Sequence, residues 1–485
     1  MSDQTLPRFS RIAHSEAGVA WLVATGVFIL LMVVGDRLLA DPDTYSHIAL
    51  GRWILGHRAV PTSDPLSQTM QGAPWIAFEW LSQIAYAIAF ASGGWAAVVA
   101  LAAAAAAAAF GQLTRFLLRE WQVVPTIIAV LVALVFLSPH ILARPHMLAL
   151  PLMVVWVAAL IRAADTARAP SWWLLPVMTF WANLHGSFTF GLAILAPIAC
   201  EALWYAPQSE RRHTAQQWIA FAALAVAAAC LNPYGPEMIL VTFRTVALGE
   251  ALSTIIEWRP QDFSRPGAFE IILLAGFGFA LYRGVKLPPL RIVMLLGVLH
   301  LALSQSRHAD RVGMLGPLFL ARPLARQFSF LAADPMPAQM RGAAWVPAAA
   351  GLLLLVAGTG VVAARQEIAP AANITPENAI KSFAFPNARP ILNDYAFGGY
   401  LDFVGIPPFI DGRGELYGAA FTLRHDRAVN LRDLPDFLRM LDEYRIGTTL
   451  LAPTTPAVAL LDRLPDWQRV YADEVAVVHT RRASP

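Results

Sequence analysis

The stretch AGVAWLVATGVFILLMVVGDRLLADPDTYSHIALGRW (17–53) joins a long apolar run to a short acidic loop. Residues 17–39 carry enough consecutive apolar side chains to cross about 30 Å of hydrocarbon as a helix. The run ends at Asp41-Pro42-Asp43, and His47 follows one helical turn later. The stretch therefore predicts a membrane helix with titratable side chains immediately outside it.

Composition supports the same class for the whole chain of 485 residues. Hydrophobic residues make up 57% of it and charged residues only 14%, and its mean hydropathy is +0.52. A soluble core could not hide so much apolar surface, so an integral membrane protein is predicted. The net charge of +3 is small and the arginines gather at helix ends, so no nucleic-acid partner is expected.

Apolar runs recur as far as residue 364 and then cease. About eleven of them are predicted to be transmembrane helices, each of roughly 20 residues or somewhat fewer. They are 17–39, 95–117, 121–137, 146–163, 171–184, 187–206, 215–232, 265–283, 287–305, 310–323 and 343–364. Residues 1–365 are thus predicted to form a transmembrane domain, whose first outer loop is 40–94, and residues 366–485 a second domain.

Basic residues occur in every second connection between these runs. The clusters are Arg8 and Arg11, Arg115 and Arg119, Arg162 and Arg168, and segments 210–213, 282–286 and 321–327. The positive-inside rule places such clusters, and with them the N-terminus, in the cytoplasm. The other connections and the 366–485 domain are then outside. This alternation of inside and outside connections holds only if the apolar helix 79–94 lies along the outer interface and does not cross the membrane. A crossing by this helix is the alternative.

Two carboxylates, Asp41 and Asp43, begin the first outer loop with one proline between them. At this spacing they can share a divalent cation such as Mg or Mn, or one can act as a base while the other is held by hydrogen bonds. A turn that only ends a helix is an equally simple explanation. Segment 43–57 is predicted to be a helix capped by Asp43, with its apolar face on lipid and His47 on its first turn.

Further titratable and amide side chains lie in the outer connections. Glu79, a third catalytic candidate, begins a helix in the same loop as the two aspartates. The candidates for substrate binding are His47, Arg144, His146, Asn183, His185, Asn232, Glu257, Arg307 and His308. Each has an ordinary explanation as an interfacial or turn residue. Because ionisable groups at membrane depth are costly and these lie on one side only, a shared polar cavity at the outer leaflet is predicted.

Short motifs surround these candidates. They are DPDTYSHIALG (41–51), EWL (79–81), RPH (144–146), NLHG (183–186), NPYG (232–235), EWRP (257–260), NDYAFGGYL (393–401) and DGRGELYG (411–418). In this set the chain resembles the GT-C superfamily of polytopic membrane glycosyltransferases, most closely one bacterial branch. The resemblance extends over nearly the whole chain. It implies a GT-C-like fold in the bacterial cytoplasmic membrane, and transfer of a sugar from a polyprenyl-phosphate donor to a glycan, lipid or protein acceptor.

The resemblance also implies roles for the acidic pair. The superfamily's catalytic Asp lies in the first outer loop, which implies Asp43 as the base, with Asp41 beside it. A carboxylate within hydrogen-bond distance can remove the acceptor proton, and arginines such as Arg144 and Arg307, the imidazole of His308, or a metal ion can stabilise the departing phosphate. Some superfamily members hold a metal with such a pair. Direct displacement would invert the anomeric carbon.

The segment 366–485 has mixed charge and short apolar stretches, which predict a small α/β domain outside the membrane. Predicted strands are RPILNDY (389–395), GYLDFVG (399–405), PPFIDGR (407–413) and IGTTLLAP (446–453). LPDFLRMLDEY (434–444) predicts an amphipathic helix, and 467–482 a hairpin. The Gly-rich motifs of this domain indicate either turns or a lid that binds the acceptor.

Two other functions remain open from the sequence. A transporter or flippase for a lipid-linked or anionic substrate would place ionisable residues near the middle of spans and have related halves, and neither feature is clear. A non-catalytic assembly or scaffold protein would use the C-terminal domain to bind a partner, with structural acids.

Overall fold

The computed structural model describes residues 16–254, 256–333, 351, 353–354, 357–358, 360–361, 367–382 and 390–482. Two predictions concern other residues. The basic pair Arg8 and Arg11, and much of the last predicted span, 343–364, lie outside the described residues.

Helices dominate the described chain up to residue 333. They are α1 (Glu16–Val33), α2 (Gly35–Leu38), α3 (Asp43–His57), α4 (Trp80–Leu117), α5 (Val123–Leu137), α6 (Pro145–Asp165), α7 (Leu174–Leu184), α8 (Phe188–Tyr205), α9 (Arg211–Ala229), α10 (Glu237–Val246), α11 (Ala268–Arg283), α12 (Pro289–Ser304) and α13 (Ala309–Gln327). Within the described residues, five helices are long and apolar enough to cross a membrane: α1, α4, α5 with the turn after it, α6 and α8. The chain is a multi-pass membrane protein, and the predicted number of spans stays a prediction.

The helix α4 lies at the centre of this bundle, and the side chains in its middle are small. It packs on α1, α3 and α6, and Ala102, Ala103 and Ala106 in its middle are completely buried. Small side chains let helices approach closely in a membrane. The helix is interrupted at Gly93 and Gly94, where Gly94 has a φ of 60°. The predicted end of the 79–94 helix at this glycine pair is confirmed.

The helix α3 carries the acidic motif and lies between α4 and the C-terminal domain. Its apolar residues Ile48 and Leu50 are buried in protein. At Gly51 the helix packs so tightly on α4 that a Cβ there would overlap the backbone of Gln83. The prediction that this helix rests its apolar face on lipid is therefore wrong for Ile48, Leu50 and Ile54, which the rest of the chain covers, whereas Leu55 of the same predicted face is 45% exposed.

The described residues from 367 onward form a small four-stranded sheet with short helices around it. The strands are β1 (Ile391–Asn393), β2 (Thr448–Leu451), β3 (Trp467–Ala472) and β4 (Val477–Arg481). Their order is β1-β2-β4-β3, with β1 parallel to β2 and the other pairs antiparallel. The helices are α14 (Glu377–Ser382), α15 (Gly398–Val404), α16 (Gly414–Val429), α17 (Leu434–Glu443) and α18 (Pro456–Leu461).

Most predicted elements of this domain are present, but two strand predictions are wrong. Segment 399–405 lies almost entirely in helix α15, and segment 407–413 contains no strand. The apolar segment 399–405 is helical although Asp402 in its middle does not face solvent. Its Oδ2 accepts a hydrogen bond from Ser46 Oγ of α3 over 2.9 Å. The predicted hairpin and the predicted amphipathic helix are confirmed as β3–β4 and α17.

Contacts divide the connections between helices into two groups. In one group, Trp121 Nε1 donates to the Ala321 carbonyl over 2.7 Å, and Arg119 lies 3.7 Å from Glu16. The other group contains the first loop, the loops before α6 and α13, and the C-terminal domain. The basic clusters in the described residues thus lie apart from the loops that carry the predicted site residues.

Candidate active site

The Asp41-Pro42-Asp43 turn is fixed by its own hydrogen bond. Asp41 Oδ1 accepts a hydrogen bond from the Asp43 backbone N–H over 2.8 Å, which satisfies a free donor at the start of α3. Asp41 therefore caps the start of α3, and the prediction that Asp43 caps this helix is wrong. The Asp43 carboxylate is left to contact Arg144.

Arg144 lies between carboxylates from separate parts of the chain. Its Nη1 is 3.0 Å from Asp41 Oδ2 and 3.2 Å from Glu257 Oε2, and its Nη2 is 2.9 Å from Asp43 Oδ2. The residue immediately precedes α6, and its carbonyl accepts a hydrogen bond from the Tyr86 hydroxyl over 2.9 Å. A held backbone and a planar guanidinium fix the relative positions of the three carboxylates.

Glu257 connects Arg144 to a second arginine. Glu257 Oε1 lies 3.2 Å from Arg307 Nη1, and the Arg307 guanidinium stacks 4.3 Å from the centre of the Trp258 ring. Three carboxylates thus face two guanidinium groups. The carboxylate–arginine cluster comprises Asp41, Asp43, Arg144, Glu257 and Arg307.

A histidine group surrounds Glu79. His185 Nε2 lies 3.4 Å from Glu79 Oε1, and because its Nδ1 accepts the Ser187 N–H, its proton is on Nε2 and faces Glu79. His47 Nδ1 lies 3.9 Å from Glu79 Oε2, and within the described residues neither ring nitrogen of His47 has a hydrogen-bond partner. The His146 ring is 6.3 Å from that of His185.

Burial and neighbouring charges set the protonation of the carboxylate–arginine cluster. Burial raises the pKa of Asp43 to about 7; the Asp41 charge also raises it, and Arg144 lowers it. Burial would raise the pKa of Glu257 as well, but Arg144 and Arg307 outweigh it and lower this pKa to about 2. Glu257 is therefore a permanent anion near neutral pH, whereas Asp43 changes charge there.

The histidine group lies within the field of Arg144. Burial raises the pKa of Glu79 to about 8, although the charge of Arg144 lowers it. Burial, and then the charge of Arg144, lowers the pKa of His47 to about 3. Near neutral pH the His47 ring is neutral and Glu79 is largely protonated, so the group carries little net charge.

The remaining predicted residues occupy the edges of the site. Asn183 Oδ1 accepts the Trp80 indole N–H over 2.9 Å, next to Glu79. Asn232 donates to two carbonyls of its own turn, so its amide is not available to the clusters. His308 lies in the turn Ser306–His308, and its Nδ1 has no hydrogen-bond partner among the described residues. The structure brings together Asp41, Asp43, Arg144, Glu257 and Arg307, and, beside them, Glu79, His47, His146 and His185.

The C-terminal domain packs on the first loop directly at Asp43. A Cβ placed on Gly412 would lie 2.9 Å from Asp43 Cγ and closer still to Oδ1. A Cβ on Gly399 would overlap the carbonyl of Pro42. Two motifs of the C-terminal domain, those at 393–401 and 411–418, are thus in contact with the acidic motif.

A buried ion-pair network holds the two parts together. Arg413 Nη1 lies 2.6 Å from Asp64 Oδ1 in the first loop, and its Nη2 lies 2.6 Å from Asp411 Oδ2. The Tyr417 hydroxyl donates to the same Asp411 oxygen over 2.7 Å. Both carboxylates are fully buried. The DGR motif is therefore structural at its Asp and Arg, while its glycine contacts Asp43.

Sequence reasoning did not find three residues of this region, Asp64, Arg311 and Gly412. Arg311 follows Arg307 by one helical turn, and within the described residues its nearest carboxylate is Asp310, at 3.9 Å. The spacing of the two arginines in RHADR (307–311) is a signal that could have identified it. Asp64 gives no local signal, because its partner is 349 positions away.

The residues predicted to hold a divalent cation fit one poorly. Oxygens of Asp41 and Asp43 face the Arg144 nitrogens at 3.0 and 2.9 Å, where a cation ligated by both would have to displace the guanidinium. Over the part of the chain that the structure describes, no three His, Cys, Asp or Glu side chains are grouped as metal ligands. Metal binding by Asp41 and Asp43 stays a prediction from the sequence.

An apolar groove of about 930 Å³ opens next to the histidine group. It runs between α7 and α9, both of which end at the same side of the bundle. Its walls include Leu81, Phe180, Leu224 and Leu231, and polar groups are confined to Thr179, Asn183 and Asn232 and the Trp80 indole. The groove is therefore apolar along most of its walls and polar at the end that lies close to Glu79.

Comparison with known proteins identifies the fold. No protein-family model and no curated protein sequence matches the chain. The chain is similar to the solved structure of the archaeal oligosaccharyltransferase AglB from Archaeoglobus fulgidus in complex with an inhibitory peptide and a dolichol-phosphate. The TM-score is 0.53 at 12% identity, over 89% of this chain and 69% of that one. An oligosaccharyltransferase of the same organism in the apo form gives a TM-score of 0.51 at 11% identity, over 92% and 70%. These likenesses support a GT-C-like membrane fold.

Proposed function

We propose that this chain, which shares its fold with membrane oligosaccharyltransferases, is a glycosyltransferase. In this proposal it moves a sugar from a polyprenyl-phosphate-linked donor to an acceptor hydroxyl at the outer face of the bacterial cytoplasmic membrane. The observation that carries the proposal is the bridging of Asp41, Asp43 and Glu257 by Arg144 at one end of an apolar helical bundle. The solved relative with a bound dolichol-phosphate and an inhibitory peptide supports a lipid-linked donor.

Asp43 is the base in this proposal. A base works best when its pKa is near the working pH, and burial raises the pKa of Asp43 to about 7. Asp41 cannot take this role as easily, since one of its oxygens accepts the Asp43 N–H and the other contacts Arg144. The acceptor hydroxyl gives its proton to Asp43 as the new glycosidic bond forms.

Arg307 and Arg311 are proposed to hold the departing phosphate. Arg307 contacts Glu257 through one nitrogen only, and Arg311 has its nearest described carboxylate 3.9 Å away, so both guanidinium groups have N–H donors left for an anion. Fixed positive charge stabilises the phosphate as its charge grows in the transition state. No strong acid is needed, because the polyprenyl phosphate that leaves is a phosphate monoester with a second pKa of about 6, so it departs as an anion.

The groove between α7 and α9 is proposed to hold the isoprenoid chain of the donor. Its apolar walls suit a hydrocarbon, and several of its residues, such as Phe180 and Leu231, are exposed on the surface of the bundle. Its polar end beside Trp80 and Asn183 is next to Glu79, so a lipid lying in it would bring its phosphate towards the two clusters. Inversion at the anomeric carbon, the outward orientation and the acceptor class belong to the same proposal.

Reconstitution tests the assignment. The purified protein is placed in liposomes with polyprenyl-phosphate sugars and candidate acceptors, and transfer is compared between wild type, Asp43→Asn and Asp36→Asn. Asp36 is an exposed aspartate seven positions earlier in the chain and serves as the matched control. We expect Asp43→Asn to lose at least about 10²-fold in kcat and Asp36→Asn to retain wild-type turnover.

Two outcomes would contradict the proposal. Equal turnover by Asp43→Asn and wild type would remove Asp43 from the chemistry. Movement of the lipid-linked sugar across the bilayer, without transfer to any acceptor, would identify the chain as a flippase instead.

A further inference from the structure

The loop 409–413 of the C-terminal domain is anchored on both sides of Gly412. Before the glycine, the Phe409 N–H donates to Asn393 Oδ1 over 2.7 Å, and Asn393 Nδ2 donates to the Ile410 carbonyl over 2.8 Å. After it, Arg413 is bound by Asp64 and Asp411. The loop therefore has little freedom to move away from the first loop.

Gly412 packs directly against the side chain of Asp43. The three atoms nearest to a Cβ built on this residue all belong to the Asp43 carboxylate. Its φ is not in the left-handed region, so its backbone conformation is open to other residues. The contact with Asp43 is thus the reason why this position has no side chain.

We propose that Gly412 is a positioning residue for Asp43, so that the C-terminal domain forms one wall of the catalytic site. The Gly412 backbone limits the space of the Asp43 carboxylate on one side, and Arg144 contacts it on the other at 2.9 Å. These two contacts restrict the orientations in which the carboxylate can meet an acceptor hydroxyl. The catalytic meaning of this contact rests on the proposed function; the contact itself does not.

A side chain at position 412 requires either the 409–413 loop or the Asp43 side chain to move, and the less firmly held of the two will move. The loop is bound by buried ion pairs and by both ends of the Asn393 amide, whereas the Asp43 side chain is held by Arg144 alone and can rotate about its Cα–Cβ and Cβ–Cγ bonds. Gly412→Ala should therefore move the Asp43 carboxylate and break its contact with Arg144. The fold of the C-terminal domain should remain.

Disulfide trapping tests the contact without any assay of transfer. In a chain with Cys200→Ser and Cys230→Ser, Asp43→Cys is combined with Gly412→Cys or, as the control, with Gly414→Cys. A disulfide requires Cβ atoms roughly 3.5–4.5 Å apart. We expect oxidation to link positions 43 and 412, detected as joined peptides by mass spectrometry, and to leave 43 and 414 unlinked. No link at 412, or equal links at both positions, would overturn the proposed wall.

Kinetics of single substitutions test the positioning role. A Cβ on Gly414 would meet Leu248 Cδ1 at 3.6 Å, an ordinary contact, so Gly414→Ala is the matched control for Gly412→Ala. We expect Gly412→Ala to lower kcat on the order of 10²-fold with the KM for the donor within about twofold, and Gly414→Ala to match wild type. Wild-type kcat in Gly412→Ala would overturn the role. Absence of transfer by wild type, with the 43–412 link formed, would count against the proposed function alone.

Discussion

At the scale of single residues, Arg144 determines the electrostatics of the site. Its guanidinium contacts three carboxylates, lowers the pKa of Glu257 and limits the rise of the pKa of Asp43. A lysine would replace it poorly, because the three donors of an ammonium group lack the fixed planar arrangement by which a guanidinium holds carboxylates in set positions. The site thus depends on one planar cation that is fixed at the start of α6.

The pH dependence of transfer follows from the pKa of Asp43. A base acts in its ionised form, and with a pKa raised to about 7, Asp43 is half ionised at that pH and mostly protonated below it. We expect kcat/KM to fall about tenfold for each pH unit below about 7 and to level off above it. The measurement is transfer by the reconstituted protein over this pH range.

Different pH profiles would assign the base differently. A rate that stays level down to about pH 5 would contradict the raised pKa, because an aspartate with its ordinary value of 3.8 is still ionised there. A kcat/KM that already begins to fall below about pH 8 would instead indicate Glu79 as the base, because its pKa is raised to about 8.

The residue types of the site could be predicted from the sequence, but their pairing could not. Asp41, Asp43, Arg144 and Glu257 were candidates because ionisable groups at membrane depth are costly. Which carboxylate contacts which arginine depends on distances across more than 100 positions, which no local pattern contains. The role of Gly412 could not be predicted for a similar reason. A glycine is required there because of the Asp43 carboxylate, which is distant in the sequence.

At the scale of elements, the helices were predictable and their neighbours were not. Helical periodicity and length identified α3 and most of the helices up to residue 333, because these signals are local. The same periodicity suggested lipid as the neighbour of α3. The structure instead packs α4 and α15 against α3 and leaves Leu55 exposed, since apolar side chains bury equally well against protein.

The groove between α7 and α9 leads to a prediction about chain length of the donor. Ala227 lines this groove, whereas Ala223, also exposed on α9, does not. We expect Ala227→Trp to fill the groove and to raise the KM for long-chain polyprenyl donors about tenfold, while Ala223→Trp has no effect. Short-chain donors should show little difference between the variants. A KM that rises equally for both chain lengths would place the isoprenoid elsewhere.

At the scale of the whole molecule, the first loop and the C-terminal domain form one body on one side of the bundle. The sequence predicted that they share a side, because basic clusters alternate with polar connections. It could not predict that they touch, because no pattern links Asp64 to Arg413 or Asp43 to Gly412. Their contacts also explain why the DGR motif combines buried charges with a glycine.

Cysteine labelling tests the orientation of the molecule. Three exposed positions are used in a chain without native cysteines: Gln71→Cys in the first loop, Glu474→Cys in the C-terminal domain, and Ser209→Cys beside a basic cluster. We expect a membrane-impermeant thiol reagent to label positions 71 and 474 in intact cells stripped of their outer layers, and position 209 only after permeabilisation. The opposite pattern would reverse the predicted topology.

The ion pair between Asp64 and Arg413 has a consequence for the order in which the molecule is assembled. The two residues are 349 positions apart, so Asp64 is synthesised long before its partner. Until Arg413 is present, the Asp64 carboxylate has the hydrogen bonds of its own loop, from the Leu66 and Ser67 N–H groups and the Ser67 hydroxyl, but lacks the guanidinium that offsets its charge in a buried position. The packing of Gly412 against Asp43 likewise joins an early and a late part of the chain, so the wall beside Asp43 cannot form before residues 411–413 have been synthesised.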